Sequence, residues 1–241
     1  MSYRPYVLQV KVMQARMRRP VRRPNLAEQT YNALCGGIVN GALKPGDRII
    51  LERLAEDLGV SPTPVREAVA RLIQEGLVVD DPTGKLQIVS LTRTYVHDTF
   101  WVRAALEGLA AELATFAISE SKLSSLGTVF QDATDGLADG DVTPYIKSDQ
   151  FFHQLIAEEA YNLPLLRELN ALQTHTSYIR GYAQRHVGDH INKSHEEHLR
   201  VFIQMRNRDS NQARRMMETH IRSTVDRIIK LTEFDDEHEP R

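Results

Sequence analysis

Leu26, Thr30, Leu34 and Ile38 recur every four residues and form one apolar stripe, which predicts a helix from near Leu26. Asn40-Gly41 stops it, and Lys44-Pro45-Gly46-Asp47 makes a turn. A second, short helix is predicted over Leu51–Leu58 with Leu51, Leu54, Ala55 and Leu58 inward. Gly59 ends it, because glycine tolerates the left-handed conformation of a helix stop. Ser61 or Thr63 suits the cap of a third helix and Pro64 suits its first turn. That helix is expected to bury Val65, Val69, Leu72 and Ile73 and to end at Gly76. Leu77-Val78-Val79 and Leu86-Gln87-Ile88-Val89 read as two short strands joined through Asp81-Pro82-Thr83-Gly84. From residue 92 the pattern is helical, with helices expected near 94–118, 121–137, 143–160, 163–186, 192–207 and 209–232. Thr143 reads as an N-cap before Pro144, and Asp209 as the cap of the last helix. Gly140, Asn162 to Pro164, Gly188 and Asn207 mark the breaks.

These elements divide the chain into a basic arm (1–24), a winged helix-turn-helix (25–91), a helical bundle (92–232) and an acidic tail (233–241). The fold class is mainly α: an N-terminal winged helix-turn-helix plus a C-terminal all-α bundle. The arm holds Pro5, Pro20 and Pro24 and no sustained period. The boundary falls near Leu91, where strand pattern gives way to long helices.

Charge sharpens the division. The net charge is −2, yet residues 1–25 hold seven basic residues and no acid. Residues 1–90 sum to +4 and the remainder to −6. A basic front and an acidic back point to a polyanion meeting the front only. No apolar run approaches the roughly 18–20 residues of a membrane span, so no membrane partner is expected. The N-terminal arginines are not followed by an apolar core segment, so no secretory signal is read there. Cys35 is the single cysteine, which excludes an intrachain disulfide and a thiolate cluster and fits a reducing cytoplasm.

Three short helices and a hairpin can hold one helix outward into a DNA major groove. Ser61, Thr63 and Arg66 fall on the side of the third helix opposite Val65, Val69 and Leu72. Hydroxyls and free N–H groups at a helix start bind phosphates, and Arg66, one turn in, can reach a guanine edge or a phosphate. The bland reading of Arg66 is an ion pair with Glu67 or Glu28. The hairpin tip at Thr83-Gly84-Lys85 suits a minor groove, with Gly84 permitting close backbone approach. In the arm, Arg22 and Arg23 are the candidate phosphate contacts; the bland reading is a solvated tail.

Gly46-Asp47, Leu54-Ala55-Glu56-Asp57-Leu58-Gly59-Val60-Ser61, Thr63-Pro64-Val65-Arg66-Glu67-Ala68 and Gly76-Leu77-Val78 resemble the GntR family of bacterial regulators in order and spacing. The resemblance implies a DNA-binding transcriptional regulator acting on a double-stranded operator, with a DNA role for Ser61, Thr63, Pro64 and Arg66. Pro62 departs from it: the family commonly has a DNA-contacting arginine there, so the operator sequence does not carry over. A single reading helix contacts few bases, so a homodimer on a near-palindromic site is expected.

In the helical half, Asp149 and His153 are four apart and share one helix face. His198 and His220 lie on the last two helices, each eleven residues from the turn near Asp209, and so sit level in an antiparallel hairpin. One carboxylate and three imidazoles suit a borderline divalent ion such as Zn²⁺, Ni²⁺, Co²⁺ or Mn²⁺. The chain has nine histidines, so His175, His186, His190 and His195 compete, and His195 with His198 is a second arrangement. A lone histidine is more often solvated or hydrogen-bonded than a ligand.

The same residues are similar to the FadR-type C-terminal domain of GntR regulators, called FCD, over roughly residues 92–232. The resemblance implies that Asp149, His153, His198 and His220 bind a metal, since the family's two late histidines lie about 22 apart as they do here. It also implies dimerisation and a small carboxylate effector beside the ion, with release from DNA the commoner outcome and hence a repressor. Arg103, in Val102-Arg103-Ala104-Ala105-Leu106-Glu107, matches the arginine of the family's "LR..LE" pattern, and its planar fork suits a carboxylate. Its bland reading is an ion pair with Glu107. Asn162 matches a family asparagine, but capping the next helix accounts for it.

The competing class is a metal-dependent hydrolase of the helical-bundle type, in which the same ligand set activates water. Against it stand the lack of a His-Asp dipeptide on a helix, of a phosphate-binding glycine loop and of a nucleophile elbow. Glu197, beside a ligand, is the one candidate base.

Overall fold

The structure, a computed structural model, describes residues 25–81, 83–184, 191–232 and 234. Three helices open it: α1 (Leu26–Asn40), α2 (Leu51–Leu58) and α3 (Pro62–Gln74). Asn25 caps α1, its side chain accepting from the Glu28 N–H at 2.8 Å. A hairpin follows, β1 (Val78–Asp80) and β2 (Leu86–Ile88), paired antiparallel with Val78 opposite Ile88. Leu77 falls just before β1 rather than in it, fully buried beneath the end of α3. The chain before α2 lies along β2: the Ile49 N–H donates to Leu86 and the Ile88 N–H to Asp47. Tyr31, Leu34, Ile38, Val65, Val69, Leu72, Leu77 and Ile88 form the core of this part.

Two expected core positions face outward. Ile73 is 43 % exposed, because the buried stripe of α3 runs Val65, Ala68, Val69, Leu72 and Ile73 lies at its edge. Leu58 faces out at the end of α2, where Gly59 (φ 65°) turns the chain away. Ser61 occupies the N-cap of α3 but makes no capping bond. Pro62 and Pro64 in the first turn have no N–H to offer it. The start of α3 is correspondingly poorer in phosphate donors than its hydroxyls alone suggest.

Six further helices complete the described residues: α4 (Arg93–Ala117), α5 (Glu120–Ala138), α6 (Thr143–Glu159), α7 (Leu163–Gln184), α8 (Ile191–Arg206) and α9 (Ser210–Leu231). Gly188, expected as a break, lies outside the described residues. Asn162 caps α7 through the Leu165 N–H, and Asp209 caps α9 through the Gln212 N–H. Thr143 is the first residue of α6 rather than its cap; Asp141 accepts from the Thr143 N–H at 2.8 Å. Helix α4 is the spine of the bundle, with α9 packed along it and α6, α7 and α8 against it. Phe100, Phe130, Phe152 and Tyr178 are fully buried there.

Two features position the sites. The α8–α9 turn is tight: Arg208 (φ 58°) donates to the Thr115 and Ile118 carbonyls at the end of α4, at 3.0 and 2.8 Å. Helix α7 also packs across α1 of the winged helix. The crossing is so close that a Cβ at Gly181 would lie 2.2 Å from the Val39 carbonyl oxygen.

Candidate functional site

Asp149 and His153 project from one face of α6, His198 from α8 and His220 from α9. The hairpin places the last two level, with their Nε2 atoms 3.0 Å apart. His153 joins them, and one ring nitrogen of each of the three lies within 4.8 Å of the others. Asp149 Oδ1 is 3.6 Å from His198 Nε2 and 3.8 Å from His153 Nε2. The four residues singled out from the sequence therefore meet at one point. His198 and His220 are buried and His153 nearly so.

The surroundings decide which ring nitrogens are free to bind. His220 Nδ1 lies 2.8 Å from Glu197 Oε2, and His153 Nδ1 is hydrogen-bonded to Glu107. An ionised carboxylate only accepts, so each Nδ1 carries a proton and each Nε2 is left facing the shared point. His153 Nε2 is buried with no hydrogen-bond partner. Burial pushes the His220 pKa down to about 4 and holds His198 well below its usual value, so both rings are neutral near pH 7. Burial pushes Asp149 up, but the Arg180 guanidinium outweighs it and holds the carboxyl well below its ordinary range. Three imidazoles, two of them oriented by carboxylates, plus one ionised carboxylate are the donor set of a borderline divalent ion. The residues fit such an ion.

The other histidines are engaged elsewhere. His195 bonds to Thr134 Oγ1 at 2.9 Å, and His175 bonds to the Glu75 carbonyl and to Tyr95. His186 and His190 lie outside the described residues. Glu197, the candidate base, is held by Arg227 at 2.9 and 3.0 Å, by Ser223 at 2.7 Å and by His220. With both oxygens committed it cannot take a proton from water.

The cluster opens on a cavity of about 540 Å³. Arg103, Glu107, Asp149, His153 and Arg180 line its charged side. Arg103 is buried and paired with Glu107 through Nε, as its bland reading expected. Its NH1, however, is buried without a partner in this cavity wall. Arg180 grips Asp149 at 2.7 and 3.3 Å. Sequence reasoning missed Arg180, Arg227 and the orienting role of Glu107. Glu197 was visible as the neighbour of His198, but no spacing rule points to Arg180, whose approach depends on the tilt of α7.

On the winged helix, Ser61, Thr63 and Arg66 are exposed on one face of α3, and no ion pair holds Arg66 among the described residues. Pro64 is buried, so its ring packs inward and does not belong to that face. At the wing, Gly84 (φ 78°) and Lys85 are exposed. Asp81 Oδ1 stiffens the tip by accepting from the Thr83 N–H and hydroxyl and the Lys85 N–H. Arg22 and Arg23 lie outside the described residues.

A reading helix held outward beside a wing, joined to an α-helical bundle, defines the class: a DNA-binding transcriptional regulator, not an enzyme. The profile of "Bacterial regulatory proteins, gntR family" matches residues 26–84, and that of the "FCD domain" matches residues 98–223. The uncharacterised HTH-type transcriptional regulator YdhC of Bacillus subtilis is 30 % identical over 209 residues, spanning 85 % of this chain and 92 % of the relative. The HTH-type transcriptional repressor RspR of Escherichia coli is 22 % identical over 204 residues, 85 % of this chain and 89 % of the relative. The solved structure of Escherichia coli McbR/YncC superposes with a TM-score of 0.69 at 22 % identity, covering 85 % of this chain and 97 % of that one. The chain belongs to the GntR family of bacterial regulators, with an FCD domain as its C-terminal part. Among the described residues no helix is long and apolar enough to cross a membrane.

Proposed function

We propose that this regulator is a homodimeric repressor of the FadR subfamily whose operator affinity is set by a small carboxylate bound beside a divalent ion. Asp149, His153, His198 and His220 hold the ion, and Arg103 holds the effector. The observation that carries the reading is the meeting of three imidazole Nε2 atoms and one carboxylate at the edge of a cavity that Arg103, whose NH1 is buried and unpaired, also lines. When bound, the ion supplies a positive centre with coordination sites left for a carboxylate oxygen or water. The guanidinium of Arg103, held by Glu107, presents its outer N–H groups to the other end. The repressor sign follows the relative RspR, a transcriptional repressor.

Titration of metal-loaded, full-length protein with a panel of small mono- and dicarboxylates tests this reading. At least one acid is expected to change operator affinity by roughly tenfold or more, about 1.4 kcal/mol of coupling. Arg103→Lys keeps the charge near Glu107 but loses the planar fork, so it is expected to retain the metal and lose the response. If no acid alters operator binding, or the Lys variant responds like the parent, the effector assignment fails. A native mass spectrum of the same sample reads the dimer directly.

The basic arm adds a second expected result. Removing residues 1–24 takes away seven basic side chains, Arg22 and Arg23 among them, and is expected to flatten the dependence of operator binding on salt. Each phosphate that the protein no longer neutralises lowers the slope by about 0.9. An unchanged slope would mean that Arg22 and Arg23 make no phosphate contact.

A further inference from the structure

Helix α7 has two working stripes. Gln173, Thr176, Ser177 and Arg180 follow the i, i+3, i+4, i+7 spacing and line the cavity. His175, Tyr178 and Gly181 form a neighbouring stripe that meets the winged helix. His175 Nε2 donates to the Glu75 carbonyl at 2.6 Å, while the Tyr95 hydroxyl bonds to the other ring nitrogen. Glu75 is the C-cap of the reading helix α3, and its carboxylate is fixed by Tyr31 and Arg71. Tyr178 donates to the Val89 carbonyl at 3.0 Å, in the segment joining the two parts. At Gly181 the backbone of α1 presses on α7 with no room for a side chain. Val39 of α1 itself lines the cavity, so the wall of the cavity is built partly from the winged helix.

We propose that the cavity is an interdomain site closed by Val39, and that α7 latches the end of the reading helix to it through His175, Tyr178 and Gly181. Arg180, next to Gly181, is gripped by Asp149, so the state of the metal cluster and the docking of the winged helix bear on adjacent residues of one rigid helix. A ligand that fills the cavity against Val39 touches the DNA-binding part directly, with no need for a signal to pass through the dimer. The transmission from the cluster rests on the metal reading; the latch itself does not.

Amide hydrogen exchange on the full-length protein separates the two. In metal-free protein, Gly181→Ala drives a methyl into the Val39 carbonyl, and His175→Ala removes both bonds to the ring. Either variant is expected to speed exchange in segments 36–43 and 72–80 by roughly tenfold or more, with α5 and α6 at the parent's rate as proof that the bundle is folded. Parent-like exchange in both variants overturns the latch. Zn²⁺ alone is then the probe. Its binding is expected to slow exchange in 72–80 of the parent by roughly threefold or more, and to leave that segment unchanged in the variants at equal metal content. Zinc that binds the parent without changing 72–80 overturns the transmission. Zinc that fails to bind at all removes the metal reading, and the metal-free comparison still decides the latch.

Discussion

Protein reconstituted with Zn²⁺ and desalted is expected to carry one ion per chain, and the His198→Ala, His220→Ala variant next to none. The two rings supply facing Nε2 atoms 3.0 Å apart, and no other described histidine is placed to replace them. An ion held there would join α6 to the α8–α9 hairpin, so its removal is expected to cost stability as well. At a free concentration a hundredfold above the dissociation constant, binding contributes about 2.7 kcal/mol, and a chelator is expected to lower the melting temperature accordingly. Because the double variant also empties buried volume, Glu197→Gln is the subtler test. It leaves all four ligands but removes the charge that fixes the His220 tautomer, and is expected to weaken metal affinity roughly ten- to a hundredfold. Full metal content in the double variant would refute the ligand assignment.

Arg66→Ala is expected to weaken operator binding by about 1–3 kcal/mol, a loss of roughly five- to 150-fold, while the circular dichroism spectrum stays that of the parent. Arg66 stands on the exposed face of α3 with Ser61 and Thr63 and is held by no ion pair among the described residues. With Pro62 and Pro64 thinning the N–H donors at this helix start, more of the contact falls on side chains, which raises the share that Arg66 carries. A variant that binds as tightly as the parent, measured by fluorescence anisotropy at fixed salt, would show that another element reads the operator.

The sequence was most legible where a periodic element fixes direction. Helix α2 begins and ends where the apolar spacing and Gly59 place it. His198 and His220 could be set level because a hairpin with equal arms makes level a matter of counting. The cap went astray at Thr143, where Asp141 takes the N–H, while Ser61 holds the cap position of α3 without the bond, its neighbours Pro62 and Pro64 having no N–H. Pro64 was drawn into the DNA face by the motif it sits in, although its ring packs inward. Arg180 and the docking of α7 on α1 left no mark of their own. Both depend on how two distant segments cross, and Gly181 reads as one more glycine until Val39 is beside it.

The pinned turn at Arg208 sets where this chain can change length over evolutionary time. One residue added to an α-helix swings everything beyond it by about 100° and advances it by about 1.5 Å. Between Arg206 and Ser210 there is no slack to absorb that swing, since Arg208 is tied to the end of α4 and Asp209 starts α9. An insertion there would rotate His220 off its partners even with every ligand retained. The bend at Gly140 between α5 and α6 is pinned to the end of α4 by no comparable bond among the described residues, although Tyr145 just beyond it stacks on His198. The spacing of 22 between His198 and His220 is thus held by the geometry of the pinned turn.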